Sequence, residues 1–124
     1  MSKPNCCLDV KDLNGRRIVL HERLRIKKAK KHPELNDLSP NGFVKKKIPQ
    51  ALGDPDRIYP DLTNPRIRSY YKMEYYVDTR RTRVYVYTKV VVATMWHPWV
   101  IISAYRPPNI KEEWGSGECL YQKQ

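Results

Sequence analysis

Two kinds of side chain in this sequence are suited to acid–base chemistry: a histidine within a strongly basic segment, and a hydroxyl near the end of an apolar strand. The histidine is His21, in RRIVLHERLRIKKAKKHPEL, and the hydroxyl belongs to Ser103, in WVIISAY. An imidazole titrates near neutral pH and can exchange protons with a substrate, while a cationic segment attracts phosphates. Together these groups indicate one way to build a small RNA-cleaving site. The same side chains would also suit functions other than RNA cleavage.

The net charge narrows the range of partners. The 124 residues include 24 Lys and Arg against 13 Asp and Glu, which gives a formal net charge of +11. Such a field attracts polyanions and raises the rate of encounter with them. Nucleic acid is the leading candidate, followed by an acidic protein and then by an anionic membrane surface. No stretch approaches the roughly 20 apolar residues that cross a bilayer, and the N-terminal residues lack the apolar core of a signal peptide. We therefore expect a soluble protein with no membrane partner.

The cysteines argue against a disulfide framework and against a zinc site. Cys6, Cys7 and Cys119 are odd in number, and the adjacent pair does not match a ligand spacing such as CxxC. We expect reduced thiols, no metal and no cofactor. Reduced thiols favour a reducing compartment, and the expected site of action is therefore the cytoplasm.

The N-terminal half predicts two helices. Residues 1–15 are expected to form a flexible lead-in. Residues 16–32 place Leu20 and Leu24 four positions apart among cations, which favours a helix with a narrow apolar stripe. A second, short helix is expected after Ser39. Its apolar side chains, Val44, Ile48 and Leu52, repeat every four residues, and Pro49 is expected to kink or divide it.

From Ile67 onward the pattern changes to the period of two that is typical of strands. Strands are predicted over 67–77, 83–94 and 99–105, with a possible earlier one from Arg57. The reversals between them are predicted at 78–82 and at Trp96–Pro98. The middle of 83–94 is apolar on both faces, which predicts a central strand. The expected fold is α+β, with two N-terminal helices packed on a three- to four-stranded antiparallel β-meander. Residues 16–124 are expected to form a single domain, with an irregular tail from about residue 107 that is anchored by Trp114.

Several short motifs occur in an order typical of one nuclease group. They are His21 in its basic segment, HPEL at 32–35, DPDRIYPD at 54–61, YYK at 70–72, a valine-rich strand and IISAY at 101–105. Residues 19–106 thereby resemble the phage and polymorphic-toxin branch of the barnase/EndoU/colicin/RelE-like (BECR) nuclease superfamily. Three positions depart from the pattern. Glu22 stands where the family has isoleucine, Lys31 replaces arginine, and Ser103 replaces threonine while keeping the hydroxyl.

The resemblance implies a metal-independent endoribonuclease. In such an enzyme a base takes the proton of a ribose 2′-hydroxyl as it attacks the adjacent phosphate, an acid protonates the departing 5′ oxygen, and cations stabilise the phosphorane. His21 falls on the family's histidine and would act as base or acid. Ser103 matches the hydroxyl that binds phosphate or orients the base, and Lys72 would stabilise the phosphate. The alternatives are a solvated histidine, a serine bonded to backbone and a lysine that faces water.

A second group of side chains is expected to bind RNA without reacting. These are the cations Arg23, Lys27, Lys31 and Arg68 and the rings of Tyr70 and Tyr105. Stacking on a base is worth roughly 1–3 kcal/mol, although most tyrosines must fill the core because phenylalanine is nearly absent. His32 is expected to close its helix, and His97 to be structural.

Three classes of function stay open. The first is an endoribonuclease acting on RNA, of which tRNA is one candidate. The second is a nucleic-acid-binding protein without catalysis. The third is an interaction module that docks an acidic partner, such as an immunity or antitoxin protein. A toxin delivered into a target cell and a factor carried by phage are both compatible with the first class.

Overall fold

A sheet with a helical layer on one face forms the architecture of the part of the chain that the computed structural model describes, residues 5–77, 80, 83–107 and 119–123. The elements follow in chain order: β1 Cys6–Lys11, β2 Arg17–His21, α1 Glu22–Ala29, a 3₁₀ turn Pro33–Asn36, a π-helical turn Phe43–Lys47, α2 Ile48–Gly53, β3 Arg57–Pro60, β4 Ile67–Val77, β5 Arg83–Ala93, β6 Trp99–Tyr105 and β7 Tyr121–Gln122.

The strand order confirms the α+β class and extends the predicted meander. The sheet runs β1-β2-β6-β5-β4-β3-β7, and β3 to β6 form the expected antiparallel meander. A β1–β2 hairpin joins it through a parallel pairing of β2 with β6, and β7 extends the other edge. The sheet is therefore mixed and seven-stranded. As predicted, β5 lies in its centre.

The N-terminal part differs from the prediction. The expected lead-in contains β1, which pairs with β2 through Leu8 opposite Leu20 and Val10 opposite Ile18. The predicted helix over 16–32 is divided, because residues 17–21 form β2 and only 22–29 are α-helical. Between β1 and β6, the run Ile18–Leu20 is at most 2% exposed. A strand can hydrogen-bond to both neighbours, whereas a helix at this position cannot.

The second predicted helix is confirmed in two pieces, the π-helical turn and α2. Pro49 lies in the first turn of α2, directly after the π-helical turn passes into the α-helix. Both helices lie between β2 and β3 and not at the N-terminus. The predicted turn at 78–82, apart from Arg80, and the Trp114 region lie outside the described residues. The His97–Pro98 peptide bond, at the β5–β6 reversal, is cis.

The core lies between the helical layer and one face of the sheet, which we call the helix face. Its fully buried members come from both layers and include Ile18, Leu20, Tyr70, Val90, Ile101, Phe43, Ile48 and Leu52. Because side chains alternate along a strand and paired residues share a face, Val19, His21, Val100 and Ser103 lie on the opposite side, the groove face. None of the helices in the described residues is long and apolar enough to cross a membrane.

Candidate functional site

An open groove runs along β2 on the groove face, where the β1–β2 hairpin meets the loop before β6. It encloses about 1230 Å³. Its lining combines two imidazoles, a guanidinium, a thiol, a carboxylate and an indole on an apolar floor: Asn5, Cys6, Asp9, Arg17, Val19, His21, Trp96, His97, Pro98 and Val100. The parallel pairing of β2 with β6 brings these side chains together from parts of the chain that are about eighty residues apart. The groove is thus a product of the tertiary fold.

His21 ends β2 and faces this groove half-buried. Its Nδ1 lies 3.6 Å from Sγ of Cys6, the residue paired with it across the β1–β2 ladder. This contact restrains the imidazole ring through Nδ1, and Nε2 forms no hydrogen bond with any residue that the structure describes. The next residue, Glu22, begins α1 and forms an ion pair with Arg25, which also donates to the Leu35 carbonyl oxygen at 2.8 Å. The histidine is therefore anchored on both sides.

Arg17 supplies the cation of the groove. Its Nε and Nη2 donate to the carboxylate of Asp9 on the neighbouring strand, at 2.9 and 2.7 Å. The guanidinium lowers the pKa of the Asp9 carboxyl, mainly through these hydrogen bonds. A guanidinium has five N–H donors, and Nη1 has no acceptor among the described residues, so it could donate to a phosphate oxygen. Asp9 thus orients the guanidinium of Arg17 without engaging all of its N–H donors.

Trp96 and His97 complete the groove from the β5–β6 reversal. The indole of Trp96 is 54% exposed although it is one of the largest apolar side chains, and His97 beside it is also exposed. An exposed ring at the rim of a cationic groove is suited to stacking against a base. The sequence led us to expect only a structural role for His97. That expectation does not explain why His97 lines the groove.

Ser103 lies on the same face as His21, in the neighbouring strand. It is three residues beyond Val100 in β6, and His21 is two residues beyond Val19 in β2, so both lie at a similar level. A bulge in β6 precedes Ser103. No hydrogen bond connects the two side chains in the described part of the chain, and Ser103 does not line the groove. The sheet brings them to one side without joining them.

Lys72 is not brought to His21. It follows Tyr70 by two residues in β4, so strand alternation puts it on the helix face, where its Nζ bonds Asp54 at 2.9 Å. Three strand spacings, about 14 Å, also separate β4 from β2. The lysine instead ties the sheet to the end of α2. A role for Lys72 at the same phosphate as His21 is therefore incompatible with this geometry.

The three cations expected on the first helix differ in position. Arg23 lies beside His21 in a recess that also contains Asn5, Glu22 and Ile26, and that continues the groove. Lys27 in α1 and Lys31 in the following turn are exposed but line neither space. They add to the positive field around the groove, and Arg23 is the one placed to contact a ligand in it.

The remaining expected RNA contacts are occupied within the fold. Tyr70 is fully buried, and its hydroxyl donates to Asp12 at 2.8 Å; burial raises its pKa. Tyr105 stacks on His32 with ring centroids 4.3 Å apart and an interplanar angle of 9°. Burial lowers the pKa of His32. Arg68 lies over the ring of Trp99 at 4.8 Å. A stacking role on RNA is therefore incompatible with the place of Tyr70.

The two adjacent cysteines have opposite environments, which predicts selective chemistry. Cys6 is exposed in the groove, whereas burial raises the pKa of Cys7 to about 11. Since the thiolate is the reactive form, iodoacetamide at pH 8 should label Cys6 at least tenfold faster than Cys7 in the native protein. Peptide mass spectrometry reads out both rates, and labelling in denaturant, where the difference should vanish, is the control. Faster labelling of Cys7 would contradict this arrangement.

No set of three or more His, Cys, Asp or Glu side chains among the described residues could hold a metal ion. In comparisons with known proteins, no family model, no curated protein and no solved structure matches this chain. The geometry of the groove is thus the basis on which a function can be inferred.

Proposed function

We propose that the protein is an endoribonuclease that cleaves single-stranded RNA in the groove around His21 without a metal ion. The observation that carries the proposal is the lining itself: two imidazoles, an oriented guanidinium and an exposed indole share one open groove. The net charge of +11 supports an RNA ligand, because each phosphate bound releases condensed counterions. The resemblance to BECR nucleases, in which His21 is the matching residue, supports the same class of reaction.

The proposed reaction needs only groups that the groove contains. Nε2 of His21 takes the proton of the ribose 2′-hydroxyl, the 2′ oxygen forms a bond to the adjacent phosphorus, and the bond from phosphorus to the 5′ oxygen breaks. His97 is the second imidazole of the groove and supplies the proton that the 5′ oxygen takes up. Nη1 of Arg17 stabilises the charge of the phosphorane. The products are a 2′,3′-cyclic phosphate and a 5′-hydroxyl.

The test compares an RNA oligonucleotide with its fully 2′-O-methylated counterpart, both in EDTA. The methyl groups remove the nucleophile, so we expect the RNA to be cut and the methylated strand to be bound intact. Binding of both strands without cleavage would support instead the non-catalytic nucleic-acid-binding protein. If neither strand bound, docking of an acidic protein would remain as the explanation of the basic surface.

A further inference from the structure

The first helix carries a row of exposed cations that begins beside His21. Arg23 and Lys27 belong to α1, Lys30 directly follows its last residue with helical backbone angles, and all three are exposed. Side chains three and four residues apart lie on one side of a helix, so these three form one row, which we call the cationic stripe. The buried Arg25 and Ala29 lie on the other side of α1. The stripe therefore points away from the core.

The cationic stripe has no negative partner within the residues that the structure describes. None of its three members forms an ion pair there, whereas a cation elsewhere, such as Lys72, is paired with a carboxylate. Glu22 is the acidic residue of α1, and it pairs with the buried Arg25. Like charges four residues apart destabilise a helix. An anion bound along the stripe would relieve this repulsion.

The cationic stripe is continuous with the groove through the recess at the end of β2. The recess is lined by His21, whose side chain lies on the groove face, and by Arg23 and Ile26 of α1. It therefore passes around the end of β2, from the groove face to the outward side of α1. Asn5 and His21 line both the recess and the groove. A strand bound in the groove can thus reach the stripe without crossing the sheet.

Ile26 adds an apolar contact within the stripe. It lies three residues after Arg23 and four before Lys30, so cations flank it, and it is 54% exposed. This combination suits a ligand that presents both charge and apolar surface, as a nucleotide does with its phosphate and its base. An acidic protein could offer both as well, but the position of the stripe beside His21 favours RNA. Arg23 and Lys30 are seven residues apart, about 10 Å along a helix, which corresponds to roughly three stacked nucleotides at about 3.4 Å each.

We propose that the cationic stripe binds phosphates of single-stranded RNA where the strand leaves the groove. The inference rests on the proposed function in taking the groove as the site that holds the RNA. Contacts from lysine to phosphate position a strand without reading its sequence. The consequence is a dependence on length. From Arg17 to His21 the groove follows β2 for about 13 Å, room for roughly four stacked nucleotides, and only a longer strand also reaches the stripe.

The test measures the affinity for RNA strands of four and twelve nucleotides by fluorescence anisotropy over a range of salt. All 2′-hydroxyls are methylated, so the strands bind without being cut. We expect the Lys27→Ala/Lys30→Ala variant to bind the longer strand roughly tenfold more weakly than wild type and the shorter one within about twofold. For the longer strand the slope of log affinity against log salt should fall by about 1.4, because each phosphate contact with a single strand contributes about 0.7. Alanine favours the helix, and circular dichroism checks that the variant is folded.

Lys45→Ala/Lys46→Ala is the matched control. Both lysines are exposed in the π-helical turn, and neither lines the groove or the recess. Their removal changes the net charge by the same amount as the loss of Lys27 and Lys30. We therefore expect a small loss of affinity, about twofold, that is the same for both lengths.

A loss in Lys27→Ala/Lys30→Ala that is confined to the longer strand would support the inference. It would do so even if no RNA were cut, in which case only the proposed catalysis would fail. Equal losses for the two lengths, or equal losses in the two variants, would overturn the inference even if wild type cuts RNA in EDTA, because the overall charge would then explain the effect. No loss, or no binding of the longer strand by wild type, would also overturn it and would favour an acidic protein as the partner of the stripe.

Discussion

Replacing His21 by alanine should lower the rate of RNA cleavage by roughly 10²- to 10⁴-fold, the usual contribution of a positioned general acid or base. Binding should change little, about threefold at most, because Arg17, Arg23 and Trp96 still line the groove and the recess that continues it. Initial rates on a labelled RNA in EDTA give the first quantity. Anisotropy with the 2′-O-methyl strand gives the second.

His32→Ala is the control for this variant, since it makes the same chemical change outside the groove. His32 stacks on Tyr105 and lines neither the groove nor the recess that continues it. Losing that stack should cost at most about 1.5 kcal/mol of stability and leave the cleavage rate within a few-fold of wild type. If His32→Ala removed cleavage while His21→Ala retained it, the catalytic centre would have to lie around His32 and Tyr105 and not in the groove.

Asp12→Ala should reduce the free energy of unfolding by about 2–4 kcal/mol. The carboxylate is 6% exposed and accepts three hydrogen bonds, from the backbone of Asn14 and Arg16 and from the hydroxyl of Tyr70. Truncation leaves the Tyr70 hydroxyl buried without an acceptor, and a buried donor without an acceptor is destabilising. It also removes the side-chain bonds that hold the β1–β2 turn, in which Gly15 has a φ of 80°. Urea unfolding measures the difference.

Asp61→Ala is a close match for Asp12→Ala in bonding but not in burial. Asp61 also accepts three hydrogen bonds, from the backbone and hydroxyl of Thr63 and from the backbone of Asn64, yet it is exposed. Water can replace those partners, so we expect a loss below about 1 kcal/mol. Equal losses in the two variants would show that burial of Asp12 is not what makes it costly to remove.

The strands from Ile67 onward were predictable because their period of two is long and unbroken. β4 and β5 are each eleven residues, and the valine-rich middle of β5 is apolar on both faces, which correctly places it in the centre of the sheet. Local sequence is sufficient in this region because each strand pairs with the next one along the chain.

The N-terminal third was not predictable in the same way. Ile18–Leu20 is a short apolar run, which fits a buried strand as well as a helix, and the spacing of Leu20 and Leu24 favoured the helix. Residues 17–21 form a strand because β6, about eighty residues away, pairs with them in parallel. No local sequence pattern predicts that pairing. The strand conformation of β1 depends on the same pairing, because β1 pairs with β2.

In the candidate site, too, some residues were predictable from the local sequence and others were not. The identity of His21 pointed to it directly, since few side chains titrate near neutral pH. Arg17, Trp96 and His97 were missed because their proximity to His21 arises only from the β2–β6 pairing, although a tryptophan beside a histidine in the predicted reversal at Trp96–Pro98 was a signal. The role of Lys72 was expected from the resemblance, through the YYK motif, but alternation from the buried Tyr70 directs its side chain to the helix face.

The most direct measurement of the central claim is a two-dimensional NMR spectrum of the three histidine imidazoles, recorded with and without an eight-nucleotide RNA strand whose 2′-hydroxyls are all methylated. His21 and His97 line the groove and His32 does not. We predict that the resonances of His21 and His97 shift on binding while those of His32 stay in place. A shift of His32 alone, with His21 and His97 unchanged, would contradict the groove as the site where RNA binds.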